Sequence, residues 1–140
     1  MTGKPFLDTN ILVYAFDSAD PGKQRSAWDI LEGRVFDDQP VISTQVIQEF
    51  YVTVVRKLPV PLEEKRALEA CNQLALFPVV QIDKDMVLSA VRLSQRHGFS
   101  LWDSLVLEAA RNGGCSVVVT EDLQAGFELD GLRVVNPFSD

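Results

Sequence analysis

Pro5-Phe6-Leu7-Asp8-Thr9-Asn10 is the stretch whose reading decides the fold. Three apolar residues run straight into a carboxylate. The chain then turns apolar again through Ile11, Leu12, Val13, Tyr14, Ala15 and Phe16. A short strand followed at once by a helix opens a βα unit, and in an open α/β sheet ligands bind at the carboxyl ends of the strands. Asp8 stands at such an end. Asp and Asn are also favoured helix N-caps, so Asp8 or Asn10 can equally serve to start the helix. The choice between these roles depends on whether other acids occupy comparable places.

Working outward, Val117-Val118-Val119 is a continuous β-branched run of the kind found in parallel strands buried on both faces. It too ends in carboxylates, within Thr120-Glu121-Asp122. Val41-Ile42-Ser43 reads as a short strand and leads into a helix over 44–57. At 100° per residue the apolar face of that helix is Val46, Ile47, Phe50, Tyr51, Val54 and Leu58. Glu49 falls on the other side with Gln45, Val52 and Arg56. A solvated glutamate is the plain reading there, although Val52 suggests that the stripe is not fully wet. Asp17 to Gly22 is a turn cluster, followed by a helix from Lys23 to Leu31 that stops at Gly33.

Pro59 and Pro61 end the 44–57 helix. A further helix is expected from Leu62 to Leu76, with Leu68, Cys71, Leu74 and Ala75 inward, then a strand over Phe77–Val80. The next helix runs from Lys84 to His97, capped by Asp83 and stopped by Gly98. Arg92, Arg96 and His97 suit the negative end of its dipole, which gives His97 an ordinary role. The run Ser100 to Ala110 is apolar on nearly all sides and predicts a buried helix. Asp103 shares a face with Val106, Leu107 and Ala110, so it must either cap the helix or meet a cation. Leu132–Val135 is a last strand. This alternation predicts a parallel sheet with helices on both faces.

At 140 residues, 46% apolar and 24% charged, the chain has the balance of one soluble globular domain spanning 1–140. Its start lacks the apolar core of a signal peptide and no run is long enough to span a membrane, which points to the cytoplasm. Cys71 and Cys115 are isolated and read as buried thiols. A net charge of −7 argues against a broad basic face for nucleic acid. It is compatible with an enzyme that meets phosphate through bound cations. With His97 the single histidine, a histidine base or multi-histidine zinc site is nearly ruled out, and carboxylates must do any chemistry.

Four acids stand out: Asp8 and Asp122 after strands, Asp103 at the start of a buried helix, and Glu49 on a helix face. Gathered without a cation they would raise one another's pKa. Mg²⁺ or Mn²⁺ resolves this, since such ions take oxygen ligands, keep several waters and are completed by phosphate. They activate water and stabilise a leaving oxygen. The acids would then be metal ligands and water-orienters, with Thr9, Asn10, Ser104 and Thr120 as neutral groups that orient them. A phosphotransferase using Asp8 as nucleophile would want a second Asp two residues on, where the chain has Asn10.

FLDTN at 6–10, ISTQVIQEF at 42–50, HGFSLWDSLVLEAA at 97–110 and VTEDLQAG at 119–126, in that order, resemble PIN-domain proteins, and most of all the VapC-type toxin ribonucleases of toxin–antitoxin pairs. The resemblance implies an acidic quartet of Asp8, Glu49, Asp103 and Asp122, a helper hydroxyl at Thr120 and a motif asparagine at Asn10. Glu121 falls at a variable position outside the quartet. It also implies a three-layer α/β/α domain whose five-stranded parallel sheet has the order 3-2-1-4-5. The implied activity is Mg²⁺- or Mn²⁺-dependent endoribonuclease cleavage of RNA by a homodimer. An antitoxin is expected to block the site with a C-terminal segment bearing Arg or Lys, and an acidic chain suits such a basic partner. The alternative is a PIN fold kept as a silent protein- or RNA-binding module, against which the intact quartet speaks. Lys4, Lys23, Arg25, Arg56 and Arg96 are either phosphate contacts or ordinary surface charge.

Overall fold

Among the described residues, five of the six helices begin with a short polar side chain that accepts a backbone N–H of the first turn. The computed structural model describes residues 1–138. Strand β1 (Pro5–Leu7) passes through Asp8, which accepts from Thr9 N, into helix α1 (Thr9–Ala15). Asp20 caps α2 (Pro21–Leu31), and Ser43 both ends β2 (Ile42–Ser43) and caps α3 (Thr44–Arg56). Helix α4 (Glu64–Leu74) leads to β3 (Val79–Val80). Asp83 caps α5 (Lys84–His97) and Ser100 caps α6 (Leu101–Asn112), before β4 (Val117–Val119), β5 (Glu128–Leu129) and β6 (Leu132–Val135). Gly98 ends α5 in the left-handed conformation, at φ 75°, as its place after His97 predicts.

The sheet is an α/β sheet of the expected class, with two departures from five parallel strands in the order 3-2-1-4-5. β1, β4 and β6 form a continuous parallel ladder, with Phe6 opposite Val118 and Val118 opposite Val134. β2 and β3 pair with each other. They join β1 through a single parallel bridge at Phe6 and Val41, where Leu7 N donates to Val41 O at 3.0 Å and Val41 N to Pro5 O at 2.9 Å. That side of the sheet is brief because Ser43 already serves as a helix cap. The second departure is β5, a sixth strand that runs antiparallel to β6 on the outer edge. Asp130 and Gly131 form the hairpin between them, at φ 49° and 86°. An Asp-Gly pair between apolar residues is the sequence signal for such a turn.

Helix α6, with α5 packed on it, lies against β2, β4 and β6, while α1, α2, α3 and α4 pack in series. The core joins Phe6, Leu7, Val118 and Val119 of the strands to Ile11 and Leu12 of α1, Phe50 of α3 and Leu107 of α6. Residues 104–110 of α6 are all buried, as its all-round apolar sequence requires. Two inward assignments fail, at Leu68 and Ala75, and so does the reading of Val52. Leu68 is 58% exposed, because α4 turns the smaller Ala67 and Ala70 inward with Leu74, leaving Ala75 exposed and Cys71 half-buried. Val52 is 45% exposed, so it gives no sign of a dry stripe beside Glu49. Among the described residues no helix is long and apolar enough to cross a membrane.

Phe6 has no exposed surface and touches both sides of the sheet through Val118 and Val41. Phe6→Ala is expected to lower the unfolding free energy by about 3–5 kcal/mol, seen as a lower urea midpoint with an unchanged denaturant slope.

Candidate active site

Parallel pairing of Leu7 with Val119 sets Asp8 and Thr120 side by side at the carboxyl ends of the two adjacent strands. The backbone continues the register one step further, since Asp8 N donates to Val119 O at 3.1 Å. Thr120 is fully buried and its hydroxyl has three partners. It donates to Asp8 Oδ2 at 2.8 Å and accepts from Asn10 Nδ2 and from the main chain of Asp122, each at 3.1 Å. Asn10 also donates to Asp122 Oδ2 at 3.0 Å. The first turn of α1 and the loop after β4 are thereby locked together.

Glu49 arrives from α3. Its Oε1 accepts from Thr9 Oγ1 at 2.9 Å and from Gln45 Nε2 at 3.4 Å. Gln45 is itself buried and bonds the Trp102 carbonyl at 3.3 Å, which links α3 to the start of α6. Asp103 is half-buried. Its main chain is capped by Ser100, and its carboxylate has no hydrogen bond or ion pair among the described residues. Capping by Asp103 is therefore set aside, and a cation remains the open role. All four acids line one open cleft of about 420 Å³, with Thr9, Asn10, Gln45, Trp102 and Lys57.

Ser104 does not line this cleft. It is fully buried and its hydroxyl has no partner among the described residues, so it supports none of the four acids directly. Glu121 is neutralised elsewhere: it accepts the Tyr14 hydroxyl at 2.6 Å and pairs with Lys23 at 3.0 Å. Lys23 is likewise tied, so the geometry gives it a structural partner. Gln45 and Trp102 had no marked place in the sequence reading. The signal for Gln45 was its position one turn before Glu49, in the stripe assigned to solvent.

The site favours positive charge. Burial pushes the Asp8 carboxyl up to about 6, against the hydrogen bonds from Thr120 and Thr9 that pull it down, and the nearby charges of Asp122 and Glu49 push it further up. The donors are all hard oxygens and Asp103 is unpaired, which fits Mg²⁺ or Mn²⁺ in kind. Among the described residues no three acidic, histidine or cysteine side chains stand close enough to form a ready-made cage. The fit is thus that of an open site, which must be completed by water or phosphate.

A raised folded-state pKa makes the folded protein bind a proton more tightly than the unfolded chain. Asp8 then favours folding at low pH, and that contribution is lost as pH rises from the unfolded value of 3.8 through about 6. In metal-free protein, Asp8→Asn is expected to gain on the parent by about 2–3 kcal/mol between pH 4 and pH 7. Urea unfolding of both proteins across that range checks it.

The fold has counterparts among solved structures. The toxin–antitoxin complex from Klebsiella pneumoniae contains a chain similar over 98% of this one and 100% of its own, with 26% identity and a TM-score of 0.70. Mycobacterium tuberculosis VapC20, a sarcin-ricin loop cleaving toxin, matches over 82% and 87% at 17% identity and a TM-score of 0.64. VapBC2 from Rickettsia felis, bound to a DNA fragment from its promoter, matches over 96% and 97% at 16% identity and a TM-score of 0.63. No curated protein sequence matches the chain. The family model of the PIN domain matches residues 6–127, nearly the whole sequence, and the chain belongs to the PIN domain family.

Proposed function

We propose that the protein is a metal-dependent endoribonuclease and the toxin of a toxin–antitoxin pair. The observation that carries this reading is the convergence of Asp8, Glu49, Asp103 and Asp122 on one cleft at the carboxyl ends of β1 and β4. Support comes from membership of the PIN domain family and from likeness to a toxin–antitoxin complex at 26% identity.

Asp8, Glu49, Asp103 and Asp122 would hold Mg²⁺ or Mn²⁺. Such an ion, when bound, activates water and offsets charge on a phosphodiester. The chain's own part is positioning. Thr120 fixes the Asp8 carboxylate and, through Asn10, the Asp122 carboxylate. Thr9 and Gln45 fix Glu49. Asp103 is left free to accept from a water or to bind a cation. A cognate antitoxin that places Arg or Lys over the cleft would find six acids lining it, Asp8, Asp17, Glu49, Asp103, Glu121 and Asp122. Homodimer formation and a cytoplasmic location belong to the same proposal.

One observation favours a second reading, a silent binding module: the acids form no ready-made cage among the described residues. Calorimetric titration with Mn²⁺ separates the two, since a silent module gives no heat that depends on Asp8.

The purified protein is expected to cleave RNA from a mixed pool in Mn²⁺ and not in EDTA. Asp8→Asn and Asp103→Asn should each abolish cleavage, and unchanged cutting by both variants sinks the proposal. Thr120→Val should lower the rate roughly 10- to 100-fold, the usual effect of losing a hydrogen bond behind a metal ligand. Thr120→Ser should restore most of it.

A further inference from the structure

Trp102 lines the cleft immediately before Asp103, yet it is 61% exposed, so it stands at the mouth. Its main chain is held in place: the carbonyl accepts from Gln45 Nε2 at 3.3 Å, and the same amide reaches Glu49. The amide orientation is fixed by chemistry, because the reverse would set an oxygen against two acceptors. The main chain that carries the indole is therefore held beside the carboxylates, and the indole itself is open to solvent at the cleft. The other aromatic on the cleft, Tyr14, is already engaged. Its hydroxyl bonds Glu121 and Lys23, the Lys23 ammonium lies 4.6 Å from its ring centre, and Phe138 packs on it edge-on at 5.1 Å. Among the described residues Trp102 has no such ring or cation partner.

Charge decides what such a platform is for. Lys57 is the sole basic residue lining the cleft among the described residues, against six acids, of which only Glu121 is already paired, with Lys23. A chain of net charge −7 gains little from phosphate contacts and counterion release. Stacking of a base on an aromatic face needs no charge and tolerates any base. We propose that Trp102 is the stacking platform for an unpaired nucleobase of single-stranded RNA, with the phosphate to be cut beside Asp8 and Asp103 and a flanking phosphate at Lys57. This rests on the nuclease reading and specifies its substrate as RNA with an unstacked base at the cut.

The sequence has two tryptophans, and Trp28 bonds the Ala15 carbonyl away from the cleft. In Trp28→Phe protein, Trp102 is the one remaining indole reporter. Its fluorescence in EDTA should be quenched by a short oligouridine and not by a ribose-phosphate strand of equal length that lacks bases. In Mn²⁺, Trp102→Ala should raise KM for cleavage of the pool RNA roughly ten- to hundredfold with kcat largely kept, while Trp102→Phe retains most of the affinity. An unchanged KM in Trp102→Ala overturns the proposal, as does equal quenching by the base-free strand. Quenching by an antitoxin-derived basic peptide and not by RNA would assign Trp102 to a protein partner instead. If the parent cleaves RNA and Trp102 is indifferent, the stacking platform is wrong and the nuclease stands; if the parent neither binds nor cuts, both fall.

Discussion

A carboxylate enclosed at the end of an apolar strand loses its hydration, and the structure around Asp8 is organised by that loss. Asp8 is 5% exposed. Two donors at 2.8 Å, the Thr9 main chain and the Thr120 hydroxyl, hold its oxygens in place. They do not cancel the desolvation, since the carboxyl still titrates near 6. What remains is an unmet demand for positive charge at one defined point. The same hydroxyl reaches Asn10 and Asp122, so the fixing of one acid fixes the geometry of the next.

The acids around the cleft are sorted by their partners. Glu121 is taken out of play by Lys23 and Tyr14. Glu49 and Asp122 accept hydrogen bonds from neutral groups that orient them and leave their charge intact. Asp103 alone of the quartet has a carboxylate without a hydrogen bond or ion pair to any described residue, at the start of a helix that is buried from 104 to 110. A charge left bare at that place suits the proposed nuclease, whose site would have to accept and release a highly charged substrate. A closed, fully ligated cage would hold its ion and exclude the phosphate.

The sequence was legible where a local rule decided the outcome. Asp8, Ser43, Asp83 and Ser100 cap the helices as their positions foretell, and the valine run of β4 lies buried beside β1. Asp8 proved to be both a cap and a cleft residue, so the two roles first weighed against each other coexist. What failed to show depended on rotation or on distant partners. A rotation of about one residue position in how α4 faces the core put Leu68 in solvent. Ser104 looked like a helper because it adjoins Asp103, yet adjacent helix positions point in different directions. Gln45 was hidden because its value lies in two bonds to groups on separate elements. The antiparallel β5 had a signal, the Asp130-Gly131 turn, that a search for parallel strands passes over.

The Thr120 hydroxyl meets the Asp8 carboxylate across 112 residues of chain, and the two strands that carry them are direct neighbours. Time of synthesis then enters the chemistry. While a ribosome is making this protein, Asp8 emerges early and waits, solvated and harmless, as the intervening helices follow. Its partner is added 112 residues later, and until then the contact that fixes Asp8 cannot form. In the nuclease proposed above, the order of the strands would delay any cutting until Thr120 and Asp122 have been made.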